Sequence, residues 1–174
     1  LFKKPLSNLG YLVLATIPAG VVGLVFAFAF DLDELFTQHY WLLAITFMLT
    51  ATELIFAERL AKKKQMNNGI NLKSAFIMGG GQALGVIPGL SRSGTTISAG
   101  CLARVEKEKN ANFTFLMSIP IIVAAAGMEL ISGIKDGTLV SVDLLPLIIG
   151  VATAALCGYI AIKFMLKIIK KANY

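Results

Sequence analysis

The 174-residue chain is 56% hydrophobic and only 15% charged, with a formal net charge of +6 and a mean hydropathy of +0.76. Soluble domains carry about a quarter charged residues, so this composition excludes an ordinary soluble enzyme. It also excludes a nucleic-acid binder: the basic residues flank apolar runs, as the positive-inside rule places them, and no basic segment is interleaved with aromatics.

The charges are absent from long stretches: none lies between Pro5 and Phe30, between Ala111 and Met128, or between Leu144 and Ile162. Apolar runs of about 20 residues are long enough to cross a bilayer. The first predicted span covers Asn8 to Phe30, about 34 Å as a helix. Pro18 and Gly20 fall inside it, a break that membrane helices tolerate when neighbours satisfy the freed backbone. Asp31, Asp33 and Glu34 close it. The second span runs from His39 to about Leu60 and ends in Arg59, Lys62, Lys63 and Lys64, followed by a polar loop over 65–73. His39, the only histidine, stands beside Tyr40 and Trp41 and reads as part of an interfacial belt, not as a catalytic base.

Ser74 to Ala103 is apolar but interrupted by Pro88, Gly89, Ser91, Arg92, Ser93 and Gly94. Its flanks, Ala75–Ile87 and Thr95–Ala103, would extend only about 20 Å and about 14 Å as helices. Neither crosses a bilayer alone, so the segment reads as a re-entrant hairpin of two short helices, a form that marks binding sites near the membrane midplane. A charged loop, Arg104 to Asn110, leads to a span from Asn112 to about Ile134 containing Pro120. A last span runs from Asp143 to about Ile169. If the hairpin enters and leaves on one side, the clusters Lys3–Lys4, Arg59–Lys64, Arg104–Lys109 and Lys163–Lys171 all share a face, which the charge rule makes cytoplasmic. The expected fold is an all-α polytopic membrane bundle forming one membrane domain over 1–174, with the hairpin at about 74–103. Cys101 and Cys157 are far apart in apolar surroundings and read as small buried hydrophobes.

The chemistry points to the hairpin tip. Arg92 is the only charge between Lys73 and Arg104. An Arg at the centre of a membrane helix costs at least about 2.5–3.5 kcal/mol on insertion scales. Its permanently protonated planar fork suits phosphate. Around it, Gly89 and Gly94 permit close backbone approach, and Ser91, Ser93, Thr95 and Thr96 carry hydroxyls. The second short helix starts here, so its free N–H groups and dipole face the tip. Together these form an anion cradle. The competing reading is a polar kink in which Arg92 pairs with Glu53 or Glu129, but a kink needs a Gly or Pro, not four hydroxyls around an Arg. Glu53 and Glu129 lie late in their runs and read as solvated near a membrane face. Gly79-Gly80-Gly81 suits close helix packing. Gln82, just before the tip, either orients a ligand or serves as polar glue. No metal or nucleotide motif is present.

The run from Gln82 to Thr96, QALGVIPGLSRSGTT, resembles the PGxSRSxxT signature of undecaprenyl pyrophosphate phosphatases, also called bacitracin-resistance proteins. Phe113 to Pro120 (FTFLMSIP) and Ala15 to Ala19 (ATIPA) resemble the same family, and the similarity covers nearly the whole chain. The resemblance implies hydrolysis of undecaprenyl pyrophosphate to undecaprenyl phosphate and phosphate, recycling the lipid carrier of cell-wall synthesis from the bacterial cytoplasmic membrane. It implies an inverted-repeat architecture with two re-entrant hairpins. Arg92 then grips the pyrophosphate, with Ser91 and Thr96 in phosphate binding or catalysis; Gly89, Ser93, Gly94, Thr95 and Gln82, read from the tip residues themselves, complete the expected substrate-binding set. A divalent cation, magnesium or calcium, is implied, although this chain offers no ligands for one. The family's N-terminal acidic motif and its Gly-His sequel have no match here, and the last helix also has none, so the expectation is a chain holding the phosphate-gripping half of a site. The partners expected are the polyprenyl pyrophosphate and membrane lipids, with a homodimer left open. Two other functions share the features: a lipid-phosphate transporter or flippase, and a non-catalytic fragment.

Overall fold

The computed structural model describes residues 5–29, 32–63, 65–137 and 144–171. Among them the chain is all-helical, with seven helices: α1 (Pro5–Ala29), α2 (Leu32–Gln38), α3 (Trp41–Lys63), α4 (Leu72–Leu84), α5 (Arg92–Leu102), α6 (Lys107–Lys135) and α7 (Leu144–Lys171). Four of them, α1, α3, α6 and α7, are long and apolar enough to cross a membrane. Their faces carry large exposed apolar side chains, among them Val13, Phe47, Val123 and Phe164. Such a surface is insoluble in water and matched to lipid: this is a multi-pass membrane protein. Lys3, Lys4, Phe30, Asp31, Lys64 and Asp143, all named in the sequence reading, lie outside the described residues.

Two elements differ from the sequence expectation. The short α2 occupies the acidic connection after α1, where the sequence suggested only the close of the first span; Gln38 donates to Glu34 one turn back along it. And α6 starts at Lys107, inside the expected charged loop. Its charged first turn masks the helix in a hydropathy reading, yet the Asn110 N–H already donates to the Glu106 carbonyl.

The chain divides into two units, residues 1–119 and 120–174, with α6 contributing to both. The second unit comprises the rest of α6 and α7. Cys157 is exposed on α7, whereas Cys101 is buried as expected.

In the first unit α4 packs between α1 and α5, and α5 also packs on α3. The core gathers Ala15, Ala75, Met78, Val105, Phe113 and Met117. Close approach of α4 to both neighbours depends on absent side chains. A Cβ on Gly79 would lie 2.6 Å from the Ala15 carbonyl oxygen, and one on Gly81 would lie 2.8 Å from the Thr95 carbonyl oxygen. Gly80, between them, faces open space. Asn71 caps α4 reciprocally with Ser74, each side chain accepting the other's backbone N–H, which fixes where the first short helix begins.

The two ends of the α4–α5 pair are tied together. Asn68 and Val105 form a parallel bridge. The Asn68 N–H donates to the Arg104 carbonyl at 3.0 Å, the Glu106 N–H donates to the Asn68 carbonyl at 3.0 Å, and the Asn68 amide donates to the Ala103 carbonyl at 2.9 Å. The chain therefore begins and ends this pair at one place. Asn110 then joins α6 to α5 by donating to the Ile97 carbonyl at 2.9 Å.

Gly81→Ala should lower the unfolding stability in detergent by about 1–3 kcal/mol through overpacking against Thr95 and Ala99. Gly80→Ala should be neutral or stabilising by up to about 1 kcal/mol. Equal effects in thermal unfolding would contradict the packing described.

Candidate functional site

The turn between α4 and α5 is built by short-range bonds and then clamped by α3. Gly89 holds φ +84, a conformation that other residues adopt only under strain. A Cβ there would also collide with the Thr46 hydroxyl of α3. The Leu90 N–H donates to the Ile87 carbonyl. The Ser91 N–H donates across to Thr50 Oγ1 of α3 at 3.2 Å, the bond that anchors the turn to a neighbouring helix. Gly85 lets the turn close on itself: a Cβ there would lie 2.5 Å from the Arg92 Cα.

Ser91 is the N-cap of α5. Its hydroxyl accepts the Gly94 N–H at 3.2 Å, and its carbonyl accepts the Thr95 N–H at 2.8 Å. Among the described residues the amides of Arg92 and Ser93 have no acceptor, so they are the free donors of the helix N-terminus. Thr95 and Thr96 sit within the first turn and a half, and both hydroxyls are already used. Thr95 donates to the Ser91 and Arg92 carbonyls, and Thr96 donates to the Arg92 carbonyl at 2.7 Å. Helical back-bonding thus takes up the protons of two of the four hydroxyls that the sequence places around Arg92.

A cavity of about 260 Å³ lies beside this helix start, lined by Gln82 of α4, Arg92, Ser93 and Thr96 of α5, and Thr114, Phe115 and Ser118 of α6. Four of the eight residues picked from the sequence, Arg92, Ser93, Thr96 and Gln82, therefore meet at one cavity. The other four, Gly89, Ser91, Gly94 and Thr95, form the turn and cap that place them. Arg92 is the only charged group in the lining, and it makes no ion pair among the described residues. The alternative in which Arg92 pairs with Glu53 or Glu129 is not realised among them. Glu53 departs from the solvated reading in another respect: its Oε2 is buried without a hydrogen-bond partner, one turn beyond Thr50 on α3. Glu129 is exposed.

The sequence reading did not single out Thr114 or Ser118 on the cavity wall, nor Thr46 and Thr50 beneath the turn. Thr46 and Thr50 lie in an apolar span where helix back-bonding is the ordinary use of a hydroxyl, so no local signal marked them. Thr114 and Ser118 lie in a run noted only for its resemblance. The lining as a whole supplies one fixed cation, a helix N-terminus and neutral hydrogen-bonding groups, a set suited to an oxyanion.

Comparison with known proteins identifies the lineage of this arrangement. Residues 3–174 match the family described as bacitracin resistance protein BacA. The chain belongs to that family. It is 41% identical over 163 residues to a protein of Geotalea daltonii named undecaprenyl-diphosphatase, covering 94% of this chain and 59% of the relative. A protein of the same name from Moorella thermoacetica is 40% identical over 164 residues, with 60% of its length covered. A shorter archaeal one, from Methanothermobacter thermautotrophicus, is 38% identical over 164 residues and 87% covered. The chain thus spans about three fifths of the first two relatives.

Ser91→Ala should cost about 1 kcal/mol of stability through loss of the cap, and Ser91→Asn should recover most of it. Thermal unfolding of the pair in detergent checks this; a fully stable Ser91→Ala would show that the hydroxyl has no capping role.

Proposed function

We propose that this protein hydrolyses undecaprenyl pyrophosphate to undecaprenyl phosphate and phosphate, and that the Arg92 cavity is where the pyrophosphate binds. The observation that carries this reading is an Arg92 without an ion pair among the described residues, at the first position of α5, lining a cavity of about 260 Å³. That volume falls below the usual range of about 300–1,000 Å³ for drug-sized ligands. It suits a phosphate headgroup and leaves the prenyl chain to lie in lipid against the apolar helix faces. The names of the relatives supply the substrate.

In this mechanism the Arg92 fork binds non-bridging oxygens, and the Arg92 and Ser93 amides add donors at the positive end of α5. Water attacks the terminal phosphorus, the bond to the bridging oxygen breaks, and inorganic phosphate leaves the lipid phosphate behind. Positioning and charge stabilisation are the main contributions to phosphoryl transfer. The lining includes no carboxylate or imidazole, so the proton-handling groups belong outside this set. The divalent cation implied by family resemblance does not fit these residues: the lining is cationic and neutral, and no group of three His, Cys, Asp or Glu that could hold a metal occurs among the described residues. No step here runs through a cation.

The α4–α5 pair is read as a re-entrant hairpin in the cytoplasmic membrane, one half of an inverted-repeat architecture. The bridge between Asn68 and Val105 supports the return to one face. A second reading, a lipid-phosphate transporter or flippase, uses the same anion site; lipid movement without phosphate release would favour it.

Arg92→Lys should reduce phosphate release from undecaprenyl pyrophosphate by at least about tenfold, because an ammonium cannot reproduce the fork and hydrogen bonds to charged groups are worth about 1.5–3 kcal/mol. Near-normal turnover would count against the proposed grip.

A further inference from the structure

The hydroxyls of threonines within helices ordinarily donate to a carbonyl one turn back, which relieves them of any need for water. Every other threonine among the described residues does so. Thr114 does not. Its side chain lies on the cavity wall, the residue is only 4% exposed, and its Oγ1 is buried with no hydrogen-bond partner. In a water-poor setting such a group is costly to leave unpaired, and the usual remedy, the Asn110 carbonyl, is not taken. Gln82 matches it from α4: the residue is 1% exposed, lines the same cavity and has an unpartnered Nε2. The hydroxyls of Thr96 and Ser118, also in the lining, are spent on carbonyls of their own helices.

From these observations, and resting on the phosphate-site reading above, we infer that Thr114 is a substrate-binding residue whose hydroxyl donates to a phosphoryl oxygen of the bound headgroup. With Gln82 and Arg92 it forms a grip drawn from three helices. Arg92 binds from α5, Gln82 from α4 and Thr114 from α6, and three donors set around one cavity match the several non-bridging oxygens that a pyrophosphate presents. Binding then satisfies two donors that are orphaned in the empty cavity, and it joins α6 to the hairpin through the ligand.

The test uses the full chain in detergent, with inorganic pyrophosphate and orthophosphate as separate probes, followed by calorimetry or phosphorus NMR titration. Arg92→Ala serves as the reference for loss of the site. Thr114→Val keeps the shape and removes the hydroxyl; it should weaken pyrophosphate binding about tenfold, while Thr114→Ser should stay within about threefold of the parent. Without ligand, the unfolding temperature of Thr114→Val should be unchanged or raised, because an orphaned hydroxyl gives way to a methyl group. A pyrophosphate loss larger than the orthophosphate loss would indicate contact with the second phosphate of the headgroup, and equal losses would indicate contact with one phosphate alone; either supports the inference. Parent-like binding by Thr114→Val, alongside loss in Arg92→Ala, would overturn the role of Thr114 and leave the phosphate site standing. A lowered ligand-free unfolding temperature would overturn it too, by showing that the hydroxyl is structural. If the parent bound neither probe, the phosphate-site reading would fail and this inference with it.

Discussion

A helix that breaks inside a bilayer frees backbone groups that lipid cannot satisfy, so protein must take them up. On the proposed re-entrant reading, that constraint shapes the first unit of this chain. The turn after α4 is not left to itself: Thr50 of α3 accepts the Ser91 N–H, Ser91 accepts the Gly94 N–H, and Thr46 packs directly over Gly89. At the opposite end, Asn68 ties the two ends of the helical pair to one another. The amides of Arg92 and Ser93, at the start of α5, keep no acceptor among the described residues, and both residues line the cavity.

Arg92 is the first residue of α5 and lines the cavity, and it has no carboxylate partner among the described residues. On the re-entrant reading an unpaired guanidinium there is expensive, and the surroundings do little to reduce the cost. The other side chains lining the cavity are uncharged, and two of them, Gln82 and Thr114, carry donors with no acceptor. Cation, helix dipole and orphaned donors all favour the same kind of occupant, an oxyanion. The glycines of α4 have a related purpose. Gly79 and Gly81 draw α1 and α5 onto one short helix, which holds Gln82 against the cavity with little freedom to move.

Much of this was legible in the sequence. Charge-free runs located α1, α6 and α7, the apolar run after His39 located α3, and the polar interruption at Pro88–Gly94 marked the break between α4 and α5. Arg92 stood out because no other charge lies near it in sequence. What the sequence concealed depended on contacts between distant segments or on competition for one proton. Nothing local distinguishes Thr114, which keeps its hydroxyl free, from Thr96, which spends it on the Arg92 carbonyl. Ser91 was read for its hydroxyl, and its role as the N-cap of α5, accepting the Gly94 N–H, was not part of that reading. The first turn of α6 was hidden because its charged residues read as loop. The resemblance to the family rested on the tip residues together with Phe113–Pro120 and Ala15–Ala19, and the family match extends over residues 3–174.

The central claim is that the α4–α5 hairpin enters and leaves the membrane on one side, carrying Arg92 inward. It is tested most directly by placing single cysteines at Gly69, before the hairpin, and at Lys109, after it, in a background with Cys101 and Cys157 replaced. Each is then labelled in intact and in inside-out vesicles with a membrane-impermeant thiol reagent. The account predicts that both positions react from the same side. Reaction from opposite sides would mean that the segment crosses the membrane, and the hairpin described here could not be the binding element.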